Sequence, residues 1–244
     1  MERKGAAAVI IGNEILTAKV VDANGPHLAR RLRDRGIPLL SLVVVPDEVD
    51  AIVEAVSAAR RCARYVLTSG GIGPTHDDVT VRAVAVALGR RVVRLEELVR
   101  LIRDHHGEDV AAEALRMADV PEGAELWPQE GTWYPVLTCD GVSMLPGVPQ
   151  LFCRQLETVL GRLEGAKVHL RCLYLSASEA QVAFALDAVA LDLPHVAIGS
   201  YPTFDRDADH LVKVTVEHPD EAEVEEAVSR LQRVLPGGCL IRVE

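Results

Sequence analysis

The densest chemistry in this 244-residue chain lies in one run, Thr68-Ser69-Gly70-Gly71-Ile72-Gly73-Pro74-Thr75-His76-Asp77-Asp78-Val79-Thr80. Glycines between an apolar strand and a helix let bare backbone amides approach a ligand, and such amides attract anions. The spacing is not the phosphate loop G-x-x-x-x-G-K-[ST], because no lysine follows. Nor is it a G-x-G-x-x-G fingerprint after the first strand. Asp77 and Asp78 would repel a phosphate held there. A divalent cation such as magnesium binds through one or two carboxylates plus ligand phosphates and so removes the conflict, with Asp77, Asp78 and Thr80 as candidate groups around it. Glu14 and Asp22 follow the first strand and, in a doubly wound sheet, face the same crevice.

A plainer reading makes Thr75-x-x-Asp78 a capping box whose aspartates counter the helix dipole. That accounts for Asp78 but not for Gly70, Gly71, Gly73 and Pro74 together. The turn Leu145-Pro146-Gly147-Val148-Pro149 ends a strand and opens a helix, so its amides could close the opposite wall of a pocket, although an ordinary rigid turn explains it as well. His105-His106 sits at a helix end beside Gly107-Glu108-Asp109 and reads as solvated. Asp205, Asp207 and Asp209 copy the start of a calcium loop, but His210 stands where glycine is required and Val216 where the bidentate glutamate belongs, so a polar hairpin turn is expected. Ser69 and Ser176 have no histidine at an informative spacing. The five cysteines are scattered, with no C-x-x-C pair, and read as inert.

The elements that must position this loop follow from apolar periodicity. Ala6–Ile11 and Leu39–Val45 read as buried parallel strands, and Tyr65–Thr68 as a third strand. Helices are expected over Asp22–Gly36, over Asp47–Arg61 with Asp47 as N-cap, and over Val79–Leu88. A helix around Glu96–His105, strands at Glu125–Trp127, Pro135–Thr138 and Val142–Leu145, and a helix over Leu151–Leu163 follow. Alternation of strand and helix predicts an α/β fold, a doubly wound and mostly parallel sheet whose ligands sit at the carboxyl ends of the strands. Glycines flanking Glu164 mark a domain boundary, giving domains 1–165 and 166–244. The second domain reads β-α-β-β-α-β, the ferredoxin-like α+β arrangement.

An apolar fraction of 49% supports a packed core, and a formal charge of -10 argues against a nucleic-acid-binding surface. No apolar run is long enough to span a membrane and no cleavage-type leader is visible, so an intracellular, cytoplasmic protein is expected.

Gly12-Asn13-Glu14-Ile15-Leu16, Asp22-x-Asn24, the glycine loop from Thr68 to Thr80 and Leu145-Pro146-Gly147-x-Pro149 resemble, in order, the competence/damage-inducible protein A family over residues 5–165. Its domain is of the molybdopterin-binding type shared with molybdopterin adenylyltransferases. Ile198-Gly199-Ser200-Tyr201-Pro202 and Leu235-Pro236-Gly237-Gly238 resemble the region that follows this domain in eukaryotic FAD synthases. The resemblance implies metal-dependent hydrolysis of nucleotide pyrophosphates such as ADP-ribose or FAD. In that mechanism Gly70, Gly71 and Gly73 bind the diphosphate, Asp77, Asp78 and Glu14 hold the cation, and Asp22 and Asn24 orient water or ribose. Ser69, Pro74, Thr75, Thr80, Pro146, Gly147 and Pro149 complete the implied ligand site. Molybdopterin binding or adenylyl transfer and a non-catalytic nucleotide-binding module are the alternatives. Asp77 stands where adenylyltransferases carry a basic residue, which disfavours adenylyl transfer. Neither a nicotinamide-nucleotide amidase nor an FAD-synthesising domain is expected, and the family implies a homo-oligomer.

Overall fold

The computed structural model describes residues 5–205 and 207–244. The chain divides into two compact units, Met1–Gly165 and Ala166–Glu244.

In the first unit, six strands form one sheet. They are β1 (Ala6–Ile11), β2 (Leu39–Val45), β3 (Tyr65–Ser69), β6 (Glu125–Trp127), β7 (Val136–Cys139) and β8 (Val142–Leu145), in the order β2-β1-β3-β8-β7-β6. Two short strands, β4 (Val92–Arg94) and β5 (Asp119–Pro121), pair separately. The β2/β1, β1/β3 and β3/β8 pairs are parallel, whereas β8/β7 and β7/β6 are antiparallel.

Side-chain alternation along the central strand sends residues to both faces of the sheet. Ala7, Val9 and Ile11 pack with Ile52 and Val56 of α3 (Val49–Cys62), Ala83 and Val84 of α4 (Thr80–Ala87), and Leu98 and Ile102 of α5 (Glu96–His106). Ala6 and Ala8 pack with Leu28 and Leu32 of α2 (Asn24–Asp34) and with Phe152, Leu156 and Val159 of α6 (Pro149–Leu160). Helices on both faces are the doubly wound arrangement. The small alanines of β1 let both helix layers approach it, and every β1 residue is buried.

The second unit holds β9 (His169–Leu175), α7 (Glu179–Asp192), β10 (Ala197–Pro202), β11 (Val212–His218), α8 (Glu221–Val234) and β12 (Leu240–Val243). Its antiparallel sheet runs β10-β11-β9-β12, and Leu173, Leu175, Val212, Val214 and Val216 meet the apolar stripes of α7 and α8. This is the ferredoxin-like pattern read from the sequence. Asp205, Asp207 and Asp209 lie in the connection between antiparallel β10 and β11, with Arg242 and His210 holding Asp209. Arg206 lies outside the described residues. No described helix is long and apolar enough to cross a membrane.

Three expectations are corrected. β2 is not a buried strand but a sheet edge, where Leu40, Leu42 and Val43 are exposed and no described strand pairs with its outer side. α3 begins at Val49 with Glu48 before it, so Asp47 is not its N-cap; the Asp47 carboxylate instead accepts the Asn13 N–H at 2.7 Å. α6 begins at Pro149, two residues early, because proline at a first helical position loses no hydrogen bond. A four-residue turn of helix, α1 (Asn13–Leu16), was not foreseen.

Candidate functional site

Four mutually parallel strands end at one edge of the sheet, and each delivers a different group there. Ile11 and Val45 are register partners, as are Ile10 and Ser69, and Ser69 and Leu145, so the four ends are level. Past β1 comes Glu14, past β2 Asp47, past β3 the glycine loop, and past β8 the Pro146-Gly147 turn. A cavity of about 580 Å³ lies among them, within the range of small-ligand sites, and Glu14, Asp47, Gly70, Gly71, Gly73, Asp77, Asp78, Pro146 and Gly147 all border it.

The glycine loop is shaped by its hydrogen bonds. Gly70 donates its N–H to the Leu145 carbonyl at 3.0 Å, and its own carbonyl accepts the Thr80 hydroxyl at 2.8 Å. The Gly70 amide is therefore engaged, which corrects its expected role as a phosphate donor. With φ +102°, Gly70 turns the chain where a side chain would overlap the Ile11 carbonyl. Gly71, at φ +66°, continues the turn and accepts the Thr80 N–H at 3.0 Å. Among the described residues, the N–H groups of Gly71, Ile72 and Gly73 have no acceptor. All three residues border the cavity, and runs of successive N–H groups are the kind of backbone that anions favour. Across from them the N-terminus of α6 adds the positive end of its dipole, with Gly147 and Val148 at the cavity wall.

The aspartates are drawn to one hydroxyl. Thr75 Oγ1 lies 2.6 Å from Asp77 Oδ1 and 2.5 Å from Asp78 Oδ2, and the Thr75 N–H donates to the same Asp78 oxygen at 2.7 Å. A hydroxyl carries a single hydrogen, so Thr75 Oγ1 serves only one of these two carboxylate oxygens at a time. The Thr75 hydroxyl, with help from the Asp77 N–H and His76, holds the Asp77 carboxyl below the ordinary carboxylate range. Because α4 starts only at Thr80, the Thr75–Asp78 exchange is not a capping box for that helix. No three His, Cys, Asp or Glu side chains among the described residues come together as a metal cage, so Glu14, Asp77 and Asp78 border one cavity without forming one. This donor set fits a cation completed by ligand phosphates rather than one enclosed by protein.

Several residues expected to touch a ligand hold the framework instead. Asn24 is buried and donates from Nδ2 to Ser69 Oγ at 2.9 Å and to the Gly147 carbonyl at 2.8 Å, while Ser69 Oγ donates to the Pro146 carbonyl at 3.3 Å. Together they clamp the glycine loop to the Pro146-Gly147 turn. Asp22 Oδ1 accepts the Asn24 and Gly25 N–H groups ahead of α2, and Asp22 does not border the cavity. Thr80 is fully buried with its hydroxyl bonded to Gly70, and it does not border the cavity. Neither Pro74, Thr75 nor Pro149 borders the cavity.

The sequence reading missed the opposite wall, formed by Met117, Trp133, Tyr134, Leu151 and Gln155. His105 stacks on Trp133 at 4.3 Å with planes 8° apart and His106 meets the indole edge-on, while both histidines stay exposed at the end of α5, as expected. Burial raises the Tyr134 phenol well above its usual range, and its hydroxyl donates to the Met117 carbonyl at 2.6 Å. Two signals were available. Asp47 lies two residues past the end of a parallel strand, and Gln155 interrupts the buried stripe Phe152, Leu156, Val159 of α6.

Residues 7–165 match the family described as "Probable molybdopterin binding domain", and residues 167–244 match "FAD synthase, middle domain". A protein of Archaeoglobus fulgidus is 31% identical over 93% of this chain and 96% of its own length. A CinA-like protein of Syntrophus aciditrophicus is 35% identical over 91% of this chain and 58% of its own. For a probable FAD synthase of Caenorhabditis elegans the figures are 28%, 97% and 51%, so the chain spans little more than half of either of the last two relatives. The crystal structure of a CinA protein of unknown function from Thermoplasma acidophilum superposes with a TM-score of 0.61 at 30% identity, over 64% of this chain and 96% of that one. The chain belongs to the molybdopterin-binding-domain family, on the CinA-like branch that carries an FAD synthase middle domain behind it.

Proposed function

We propose that this protein hydrolyses the diphosphate bridge of a nucleotide such as ADP-ribose or FAD, assisted by a divalent cation. One observation carries the reading: the free amides of Gly71, Ile72 and Gly73 share a cavity with Glu14, Asp77 and Asp78. The amides hold the diphosphate and orient it with one phosphorus toward the carboxylates. Asp77 and Asp78 would hold the divalent cation, which would supply charge neutralisation and Lewis acidity toward the diphosphate. Thr75 keeps Asp77 and Asp78 side by side, and Asp77 stays ionised in mild acid. Glu14, exposed at the lip, accepts a proton as water attacks. The bond from water oxygen to phosphorus forms, the bond from phosphorus to the bridging oxygen breaks, and two phosphate monoesters leave. The clamp of Asn24 and Ser69 acts only by holding the two loops at a fixed spacing.

Purified protein incubated with ADP-ribose or FAD, with magnesium, manganese or chelator, is expected to release AMP only when metal is present. Absence of turnover with every divalent cation refutes hydrolysis. A second reading, molybdopterin binding, is favoured by the family match over residues 7–165 and by the aromatic wall. Calorimetry with the pterin separates the two. Nucleotide binding without turnover would leave a non-catalytic module.

A further inference from the structure

Two kinds of residue line the cavity. One set carries amides and carboxylates, and the other is aromatic and apolar around a single buried amide, Gln155, which is 3% exposed. Gln155 Nε2 donates to the Tyr134 carbonyl at 2.9 Å. A carbonyl only accepts, so the orientation of the amide is settled and Oε1 is the end left over. That oxygen is buried and has no hydrogen-bond partner among the described residues. Folded proteins retain few such acceptors, and because Gln155 itself borders the cavity, a donor from outside the chain is the partner the fold leaves room for. Nearby, His105 covers one face of the Trp133 indole, so the ring enters the cavity wall in a fixed orientation. A rigid aromatic beside an acceptor without a donor matches a planar heterocycle bearing an amino group.

We propose that Trp133 and Gln155 form the base end of the site, seating the adenine of an adenine nucleotide, and that Gln155 Oε1 accepts a hydrogen bond from its exocyclic amino group. This deepens the diphosphate reading and rests on it. With phosphates at Gly71–Gly73, the remainder of the ligand extends toward this wall. Gln155 is then a specificity residue: an oxo group at the amino position sets two acceptors face to face, and a site built to bond one group rejects the other.

The test is calorimetry on the full chain with magnesium, using methylene-bridged analogues of ADP-ribose and inosine diphosphate ribose, which cannot turn over, and inorganic pyrophosphate. ADP-ribose is expected to bind at least tenfold tighter than its inosine counterpart. Gln155→Leu should remove that preference, and Trp133→Leu should weaken ADP-ribose by about tenfold while leaving pyrophosphate unchanged. The wild-type comparison of the two ligands holds whatever the variants do to folding. Equal affinity for both, or ADP-ribose no tighter than pyrophosphate, overturns the base end and leaves the diphosphate site standing. If none of the three ligands binds, the diphosphate reading falls and takes this inference with it.

Discussion

Replacing Gly70 by alanine separates two effects that glycine serves at once. Gly70 has φ +102°, and an added Cβ would overlap the carbonyl of Ile11, the last residue of a strand buried between two neighbours. The loop cannot withdraw either, because the Gly70 N–H is bound to Leu145 and its carbonyl to Thr80. A non-glycine residue at such a φ costs about 1–3 kcal/mol, and forcing a methyl into a filled space adds about 1–3 kcal/mol. Gly123 supplies the control, since it has φ +84° with nothing within 4 Å of an added Cβ and so carries only the conformational part. Gly70→Ala should therefore lose about 2–6 kcal/mol, exceeding Gly123→Ala by about 1–3 kcal/mol. Urea unfolding followed by tryptophan fluorescence reads this cleanly, because the chain's two tryptophans, Trp127 and Trp133, both lie in the first unit. The midpoint should move with little change of slope. If Gly70→Ala proves no worse than Gly123→Ala, the close approach of the glycine loop to β1 is wrong.

Asn24→Ala should destabilise the first unit by about 1–2 kcal/mol, the loss of two hydrogen bonds partly offset by removal of an unpaired buried oxygen, and double-mutant coupling with Ser69→Ala checks that it acts through the clamp. Loss of ligand binding by Asn24→Ala without loss of stability would contradict that assignment. Asp78→Asn should lower the proposed hydrolysis by at least about 100-fold in steady-state assays while the protein unfolds at the wild-type midpoint within about 0.5 kcal/mol. Arg31 joins α2 to α6 by bonding Glu157 at 2.7 and 2.8 Å and holds that carboxyl below its ordinary range. A carboxylate depressed in the folded state stabilises above its unfolded pKa and loses that contribution as pH falls through the folded value. Glu157→Gln should accordingly cost under about 1 kcal/mol at neutral pH, the pair being partly exposed, and the gap to wild type should close in strong acid.

Helix and strand order was readable because burial imposes a period. Ala6–Ile11 is apolar at every position, as a strand covered on both faces must be, and the α2 and α3 stripes repeat at helical spacing. β2 misled because Leu39–Val45 has the composition of a buried strand, yet which strand lies at the edge is a matter of sheet order that no local pattern encodes. The short β4 and β5 carry too few residues to show a period at all.

Local chemistry decided that Gly70 to Asp78 would be a bend rich in amides beside acids, since few residues other than glycine accept such dihedrals and the loop lies between a strand and a helix in the chain itself. What each polar group does there was decided only by folding. Asn24 and Ser69, 45 positions apart, meet as a clamp, and Gly70 spends its amide on Leu145. Asp47 and Gln155 reach the cavity from elements that the sequence does not connect to it. Hydrogen bonds are short and directional, so whether an N–H remains available to a ligand depends on which carbonyl the tertiary fold brings within about 3 Å.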